Sequence, residues 1–305
     1  MTRIFIQEVA VRDGFQIEPR FIPSEEKIAL IDALSTTGLA KIEATAFVSP
    51  KAVPNLRDAE QVMRGIRRVP GVIYSALVPN ARGAERAIAC GADELNLVMS
   101  ASETHNRKNV NRSTAKSLEG FQDVMRVVAG TRVTINGTVS TAFGCPFEGA
   151  VAPERVLKFA ERYLELGFHG ITLADTTGMA HPLQVEALTA AAVARFPGAE
   201  LTLHFHNTRG MGLANVLAAI KSGARRFDAS LGGLGGCPFA PGATGNICTE
   251  DLVHMLQAMD YDTGVDLDGL LRIARKLPSI VGHEVPGQVA KAGKITDLHS
   301  EETPS

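Results

Sequence analysis

Strand-like and helix-like segments alternate from end to end of the chain, which predicts an α/β fold of the (β/α)8 TIM-barrel type. Three observations carry this expectation. Eight strand–helix units follow one another in series. No switch-point phosphate motif, such as a doubly wound sheet would bring, accompanies them. Gly38, Gly91, Gly130, Gly167 and Gly223 stand just past the helical stretches, where a left-handed C-cap favours glycine.

The elements can be read in order. A strand at residues 4–9 is followed by a helix at 24–36, with Ser24 as N-cap and Glu26 and Lys27 in its first turn. Strands at 41–47, 72–78 and 94–99 are paired with helices at 58–68, 81–90 and 113–128. The strand at 133–139 precedes a helix at 153–166 that opens on Pro153, a residue suited to a first helical turn. Strands at 171–175, 201–206 and 226–231 alternate with helices at 182–195, 213–221 and 249–258. A further helix at 268–276 extends a single catalytic domain spanning 1–298, and residues 299–305 read as a disordered polar tail.

Composition narrows the function classes. A chain of 305 residues with 45% hydrophobic and 21% charged residues suits a soluble globular domain. The formal charge of −2 gives no reason to expect a nucleic-acid or membrane partner. Cys90, Cys145, Cys237 and Cys248 form no C-x-x-C pair, so neither a zinc ribbon nor a disulfide framework is indicated, and free thiols suit the cytoplasm. No apolar run approaches the ~18 residues of a membrane span, and the chain enters its first strand with no targeting segment ahead of it.

In barrels of this type the chemistry sits where strands end and the following loops begin. Applied as a filter, that rule selects Arg12 and Asp13 after the first strand, Glu43 in the second, Asn96 in the fourth and Asn136 in the fifth. It adds Asp175 at the end of the sixth, His204 and His206 in the seventh, and Cys237 and Asn246 beyond the eighth. Buried charges are costly unless paired or bound to metal, so their convergence on one rim is a physical signal.

His204 and His206 are two apart on a strand and face the same way. As an isolated pair they could be hydrogen-bonded core residues. With a carboxylate such as Asp13 and the Asn246 amide in reach, the mixed nitrogen and oxygen set suits Mg2+ or Mn2+. Arg12 offers a cationic fork for an oxyanion, and Asp13 a ligand or a base. Glu43 could orient Arg12 or act on a proton, and Asp175 could be a helix N-terminal feature without chemistry. Cys237 lies in the glycine-rich stretch 232–246, whose backbone can close tightly on a ligand. Cys145 reads as a small buried thiol.

Several longer motifs carry a family resemblance. They are Val11-Arg12-Asp13-Gly14-Phe15-Gln16, the run Lys41-Ile42-Glu43-Ala44-Thr45-Ala46-Phe47-Val48-Ser49-Pro50-Lys51, Lys108-Asn109-Val110-Asn111, Gly144-Cys145-Pro146-Phe147-Glu148-Gly149, His204-Phe205-His206 and the glycine–cysteine loop. Over nearly its full length the chain resembles the 3-hydroxy-3-methylglutaryl-CoA lyases, members of a metal-dependent barrel group that includes isopropylmalate synthases. The resemblance implies that Asp13, His204, His206 and Asn246 ligate a divalent cation. It implies Cys237 as the acid/base thiol, Arg12 as the enolate stabiliser, and Glu43 and Asp175 as further catalytic carboxylates, with Asp13 or His204 as the base. It also implies an acyl-CoA substrate and a homodimer.

The departures are local. Pro241 stands where the family usually has lysine, Ile17 where it favours asparagine, and Asn207-Thr208-Arg209-Gly210-Met211 follows the histidine pair, with Arg209 bringing a positive charge close to the mouth. These leave the reaction type and open the acyl group to variation. Two other readings are a Claisen-type synthase joining acetyl-CoA to a 2-keto acid, against which the missing Gly-Glu-Arg element argues, and a non-catalytic barrel that binds metal or acyl-CoA.

Overall fold

The structure, a computed structural model, describes residues 1–236 and 245–298. Eight parallel strands close on themselves: β1 (Phe5–Glu8), β2 (Lys41–Ala46), β3 (Ile73–Leu77), β4 (Glu94–Ser100), β5 (Thr134–Ser140), β6 (Gly170–Asp175), β7 (Glu200–Phe205) and β8 (Arg226–Ala229). Closure is made by β1 against β8, from Phe5 opposite Arg226 to Glu8 opposite Ala229. The barrel predicted from the alternating segments is therefore the fold observed.

The surrounding helices are α1 (Ser24–Ser35), α2 (Ala59–Gly65), α3 (Ala81–Ala89), α4 (Glu103–Val110), α5 (Thr114–Val128), α6 (Pro153–Glu165), α7 (Pro182–Arg195), α8 (Gly212–Lys221) and α9 (Thr249–Ala258). Three short helices, α10 (Leu267–Ala274), α11 (Leu277–Val281) and α12 (Val289–Ala292), make the C-terminal extension. One local expectation is corrected and another is borne out. Ser24 is the first helical residue of α1 rather than its cap, because its hydroxyl donates to Asp58 Oδ2 at 2.7 Å and Pro23 takes the cap position. The glycines expected past helices do adopt the left-handed conformation, as at Gly38 (φ 87°) and Gly223 (φ 103°). No helix among the described residues is long and apolar enough to cross a membrane.

Side chains alternate across each strand, and the two faces of this sheet differ sharply. Ile6, Ile42, Leu95, Ile135, Ile171, Leu203 and Phe227 are buried on the face turned to the helices, and they form the apolar core. Gly137 belongs to this face, where a Cβ would come 2.3 Å from the Tyr163 ring of α6. The absent side chain lets Tyr163 stack on Phe168 at 4.9 Å and donate to the Thr138 carbonyl at 3.0 Å.

The interior face is polar. Gln7 donates to Thr202, Lys41 pairs with Glu94 at 2.5 Å, and Asn136 bridges Asn96 and Thr172. Removing one partner of a buried pair such as Lys41–Glu94 typically costs about 3–5 kcal/mol, because the other charge is stranded. The hydrophobic layer outside the sheet thus carries the stability, and the polar barrel interior is free to present charged groups at its mouth.

Candidate active site

After Glu8 the chain makes a π-helical turn at Ala10–Gly14, a rare local geometry often found at functional sites. It places Arg12 and Asp13 side by side at the mouth, both buried. Arg12 Nε donates to Glu43 Oε2, and its Nη1 donates to Asp13 Oδ1 at 2.6 Å. Asn96 Nδ2 donates to Glu43 Oε1 at 3.0 Å, so both oxygens of Glu43 have partners.

Asp13 joins the two sides of the site. Its Oδ1 also accepts from Gln16 Nε2 at 2.8 Å, while Oδ2 accepts from Asn246 Nδ2 at 2.8 Å and lies 3.9 Å from His206 Nε2. Burial pushes its pKa up, but Arg12, then the two histidines and the Asn246 amide, bring it down to about 2. Arg12 itself is held above its ordinary value: burial opposes its charge, and Glu43 and Asp13 more than offset that.

The histidines project from β7 and from the residue just beyond it, as their spacing requires. His204 Nε2 and His206 Nε2 are 3.1 Å apart. Potential ligand atoms of Asp13, His204 and His206 all lie within 4.8 Å of one another. Asn246 reaches the group because residues 206 and 246 form a backbone bridge beside the end of β7. Burial and the neighbouring His204 charge depress His206 to about 3. His204 is raised instead, since the hydrogen bond and charge of Asp228, with Asp13, outweigh burial.

The donor set fits a divalent cation. Asp13 supplies a carboxylate, the histidines turn two ring nitrogens to one point, and Asn246 Oδ1 is buried without a hydrogen-bond partner among the described residues. Mixed nitrogen and oxygen ligands of this kind suit a divalent cation, and they differ from the closed thiolate-rich set of structural zinc.

Asp228, at the inward face of β8, escaped the sequence reading. Its Oδ2 lies 3.1 Å from His204 Nδ1, the carboxylate–histidine arrangement that fixes which ring nitrogen is left for a metal. Counting by twos from Arg226 would have placed it inside the barrel. Asp228→Asn is expected to weaken Mn2+ binding by roughly 10–100-fold, since an amide can reverse the imidazole tautomer. Calorimetric titration of the folded variant measures this directly, and wild-type affinity would contradict the assignment.

The remaining sequence-selected residues are placed differently. Asp175 is not on the cavity wall: its carboxylate accepts from the Met179 and Ala180 amides at 2.8 and 3.1 Å, and burial raises its pKa to about 6. Arg209 donates to the carbonyls of Thr177 and Gly178, so its charge is engaged with the same loop. Cys145 is a buried free thiol, with its sulfur 3.0 Å from Ser102 Oγ. Cys237 lies outside the described residues, as do Pro241 and the tail 299–305.

A cavity of about 500 Å3 opens over the cluster, lined by Arg12, Asp13, His204, His206 and Gly236, and farther out by Ser49, Asn80, Asn111 and Arg112. Its volume is in the range of sites that take small molecules and cofactors.

Comparison with known proteins agrees with this geometry. The HMGL-like family model matches residues 3–277. A solved HMG-CoA lyase from Acinetobacter baumannii, in complex with coenzyme A and 3-methylmalate, is 55% identical, with 97% of each chain covered and a TM-score of 0.94. The hydroxymethylglutaryl-CoA lyase YngG of Bacillus subtilis is 48% identical over 94% of this chain and 96% of its own. The (R)-citramalyl-CoA lyase of Chloroflexus aurantiacus is 42% identical over 97% of this chain and 96% of its own. The chain belongs to the HMGL-like family, among the hydroxymethylglutaryl-CoA lyases.

Proposed function

We propose that this protein is a metal-dependent carbon–carbon lyase that cleaves 3-hydroxy-3-methylglutaryl-CoA to acetyl-CoA and acetoacetate. The observation that carries the reading is the convergence of Asp13, His204, His206 and Asn246 beside Arg12 on the floor of one cavity. These four residues would hold the cation. When bound, a divalent cation polarises the substrate's tertiary hydroxyl and lowers its pKa.

The chain's own groups account for the rest. Asp13 has both oxygens engaged by Arg12, Gln16 and Asn246, which makes it a poor proton acceptor and a good ligand. His204 turns Nδ1 to Asp228 and Nε2 to the cation position, so it would accept the hydroxyl proton only with Nε2 released from the cation; while it is a ligand, that proton passes to water in the cavity. As the C2–C3 bond breaks, its electron pair passes into the thioester, and the hydroxyl carbon becomes the ketone. Arg12 stabilises the resulting enolate oxygen. Glu43 orients the Arg12 fork, with Asn96 holding its second oxygen. Asp175 shapes the loop after β6 through two backbone amides. Cys237 returns a proton to the enolate carbon; its neighbour Gly236 borders the cavity, which supports that role.

Supplying the protein with Mg2+ or Mn2+ and single acyl-CoA substrates tests the reading by mass spectrometry of the products. Equimolar acetyl-CoA and acetoacetate from 3-hydroxy-3-methylglutaryl-CoA are expected. Citramalyl-CoA, the smaller substrate named for the Chloroflexus relative, is expected to give acetyl-CoA and pyruvate with a lower kcat/KM. Absence of acetyl-CoA from both, or release of free CoA from acetyl-CoA and a 2-keto acid, would overturn it. The cytoplasm and a homodimer remain the compartment and assembly we infer.

A further inference from the structure

Two wholly buried carboxylates, Glu8 and Glu250, lie outside the large cavity and have no part in the chemistry described above. Both are directed at the root of the glycine-rich segment. Glu8 lies at the end of β1, on the opposite face from the inward-pointing Gln7. Its Oε1 accepts from the Ala10 amide at 2.8 Å and from the Leu231 amide at 2.9 Å, and its Oε2 accepts from Thr249 Oγ1 at 2.7 Å. Glu250, in the first turn of α9, accepts from the next amide, Gly232, at 3.0 Å. Consecutive N–H groups at the start of the segment therefore go to two different acids. One of those acids also binds the limb that returns.

The two limbs are joined to each other at the same level. Ser230 N donates to the Ile247 carbonyl at 3.0 Å, Thr249 N to the Ser230 carbonyl at 3.1 Å, and Asn246 N to the Leu234 carbonyl at 3.4 Å. Gly232 has φ 65°, and a Cβ there would come 2.7 Å from the Leu277 side chain, so the turn is both left-handed and closely packed. The C-terminal extension covers it, with Gly287 N donating to the Gly232 carbonyl at 3.0 Å. Burying two carboxylates at one turn is costly. Desolvation raises Glu8 to about 7 in spite of its three donors, and it raises Glu250 as well. Turns of ordinary stability need no such groups.

We infer that Glu8 and Glu250 are positioning residues that fix the two limbs flanking the glycine-rich segment against β1 and α9, so that Asn246 meets Asp13. The inference rests on the Asn246–Asp13 hydrogen bond; of its readouts, kcat and KM alone rest on the proposed function.

The test uses the full chain with Glu8→Ala, Glu8→Gln and Glu250→Ala. Iodoacetamide labelling is followed by peptide mass spectrometry at all four cysteines, and Mn2+ affinity, kcat and KM are measured in parallel. Cys90, Cys145 and Cys248 are buried free thiols; Cys90 and Cys145 report on the barrel, while Cys248 sits on the returning limb and moves with it. In Glu8→Ala the labelling rate of Cys237 is expected to rise by about 10-fold or more, with Cys90 and Cys145 still protected. Mn2+ affinity should fall by roughly 10-fold, and kcat should fall more than KM changes. Glu8→Gln should restore all three, because its amide oxygen can accept the two N–H bonds while its NH2 faces the Thr249 hydroxyl. Glu250→Ala removes the Gly232 bond and the contact with the Cys248 thiol, and with Cys90 and Cys145 as the reporters it carries the same test if Glu8→Ala does not fold.

Unchanged Cys237 labelling and Mn2+ affinity in folded alanine variants would overturn the inference. So would a uniform rise at all four thiols, which marks a role in global stability alone. Labelling and Mn2+ binding need no turnover. A protein with no lyase activity but with these shifts would therefore refute the proposed function and leave the inference standing.

Discussion

Glutamine at position 12 is expected to lower kcat by about 10²–10³-fold, the usual loss for removing one donor to an oxyanion. Arg12 spends Nε on Glu43 and Nη1 on Asp13, and it borders the cavity. Its guanidinium is thus locked by two carboxylates at the edge of the cavity. Glutamine cannot serve both acids, and two buried carboxylates would lose their cation, which also threatens the fold. Arg12→Lys separates the two effects: it keeps the charge and loses the rigid fork. A folded lysine variant with kcat reduced about 10²-fold and a nearly unchanged KM is the expected result. Wild-type kcat in either variant would remove Arg12 from the reaction.

Cys237→Ala is expected to reduce kcat by about 10²–10⁴-fold, the range for loss of a general acid. Metal binding and thermal stability should stay at wild-type values, because the proposed ligands lie on the turn after β1, on and just past β7, and on the returning limb at Asn246. A thiol has an ordinary pKa of roughly 8.5, so it can hold a proton near neutral pH and still release it to an enolate carbon. Steady-state kinetics alongside Mn2+ titration checks both halves. Full activity in the alanine variant would assign the proton delivery to another group.

The barrel was legible because each strand and helix has its own period, and the sequence repeats that exchange eight times. What was missed lacked such a signal. Helix α4 reads Glu-Thr-His-Asn-Arg-Lys-Asn-Val, with no apolar stripe to mark a buried face. The π-helical turn at Ala10–Gly14 has no sequence signature, although it is what puts Arg12 and Asp13 together.

The rim rule found the metal-binding candidates, yet it could not tell an inward carboxylate from an outward one. Counting by twos settles that. Thr172 and Ala174 face the interior, so Asp175 faces away, where it binds the Met179 and Ala180 amides. The same count makes Asp228 an inward residue behind His204. For Glu43 the sequence leaves two roles open; in the structure its two oxygens accept from Arg12 and Asn96. For Cys237, position in a glycine-rich stretch and family resemblance remain the grounds.

Titration with Mn2+, followed by electron paramagnetic resonance, tests the central claim that Asp13, His204, His206 and Asn246 hold one cation. One ion per chain is predicted for the wild type, with affinity lower by more than about 100-fold in each of Asp13→Ala, His204→Ala and His206→Ala. His181→Ala, on the exposed start of α7, should bind as the wild type does. Equal affinity and stoichiometry across all four variants would contradict the claim.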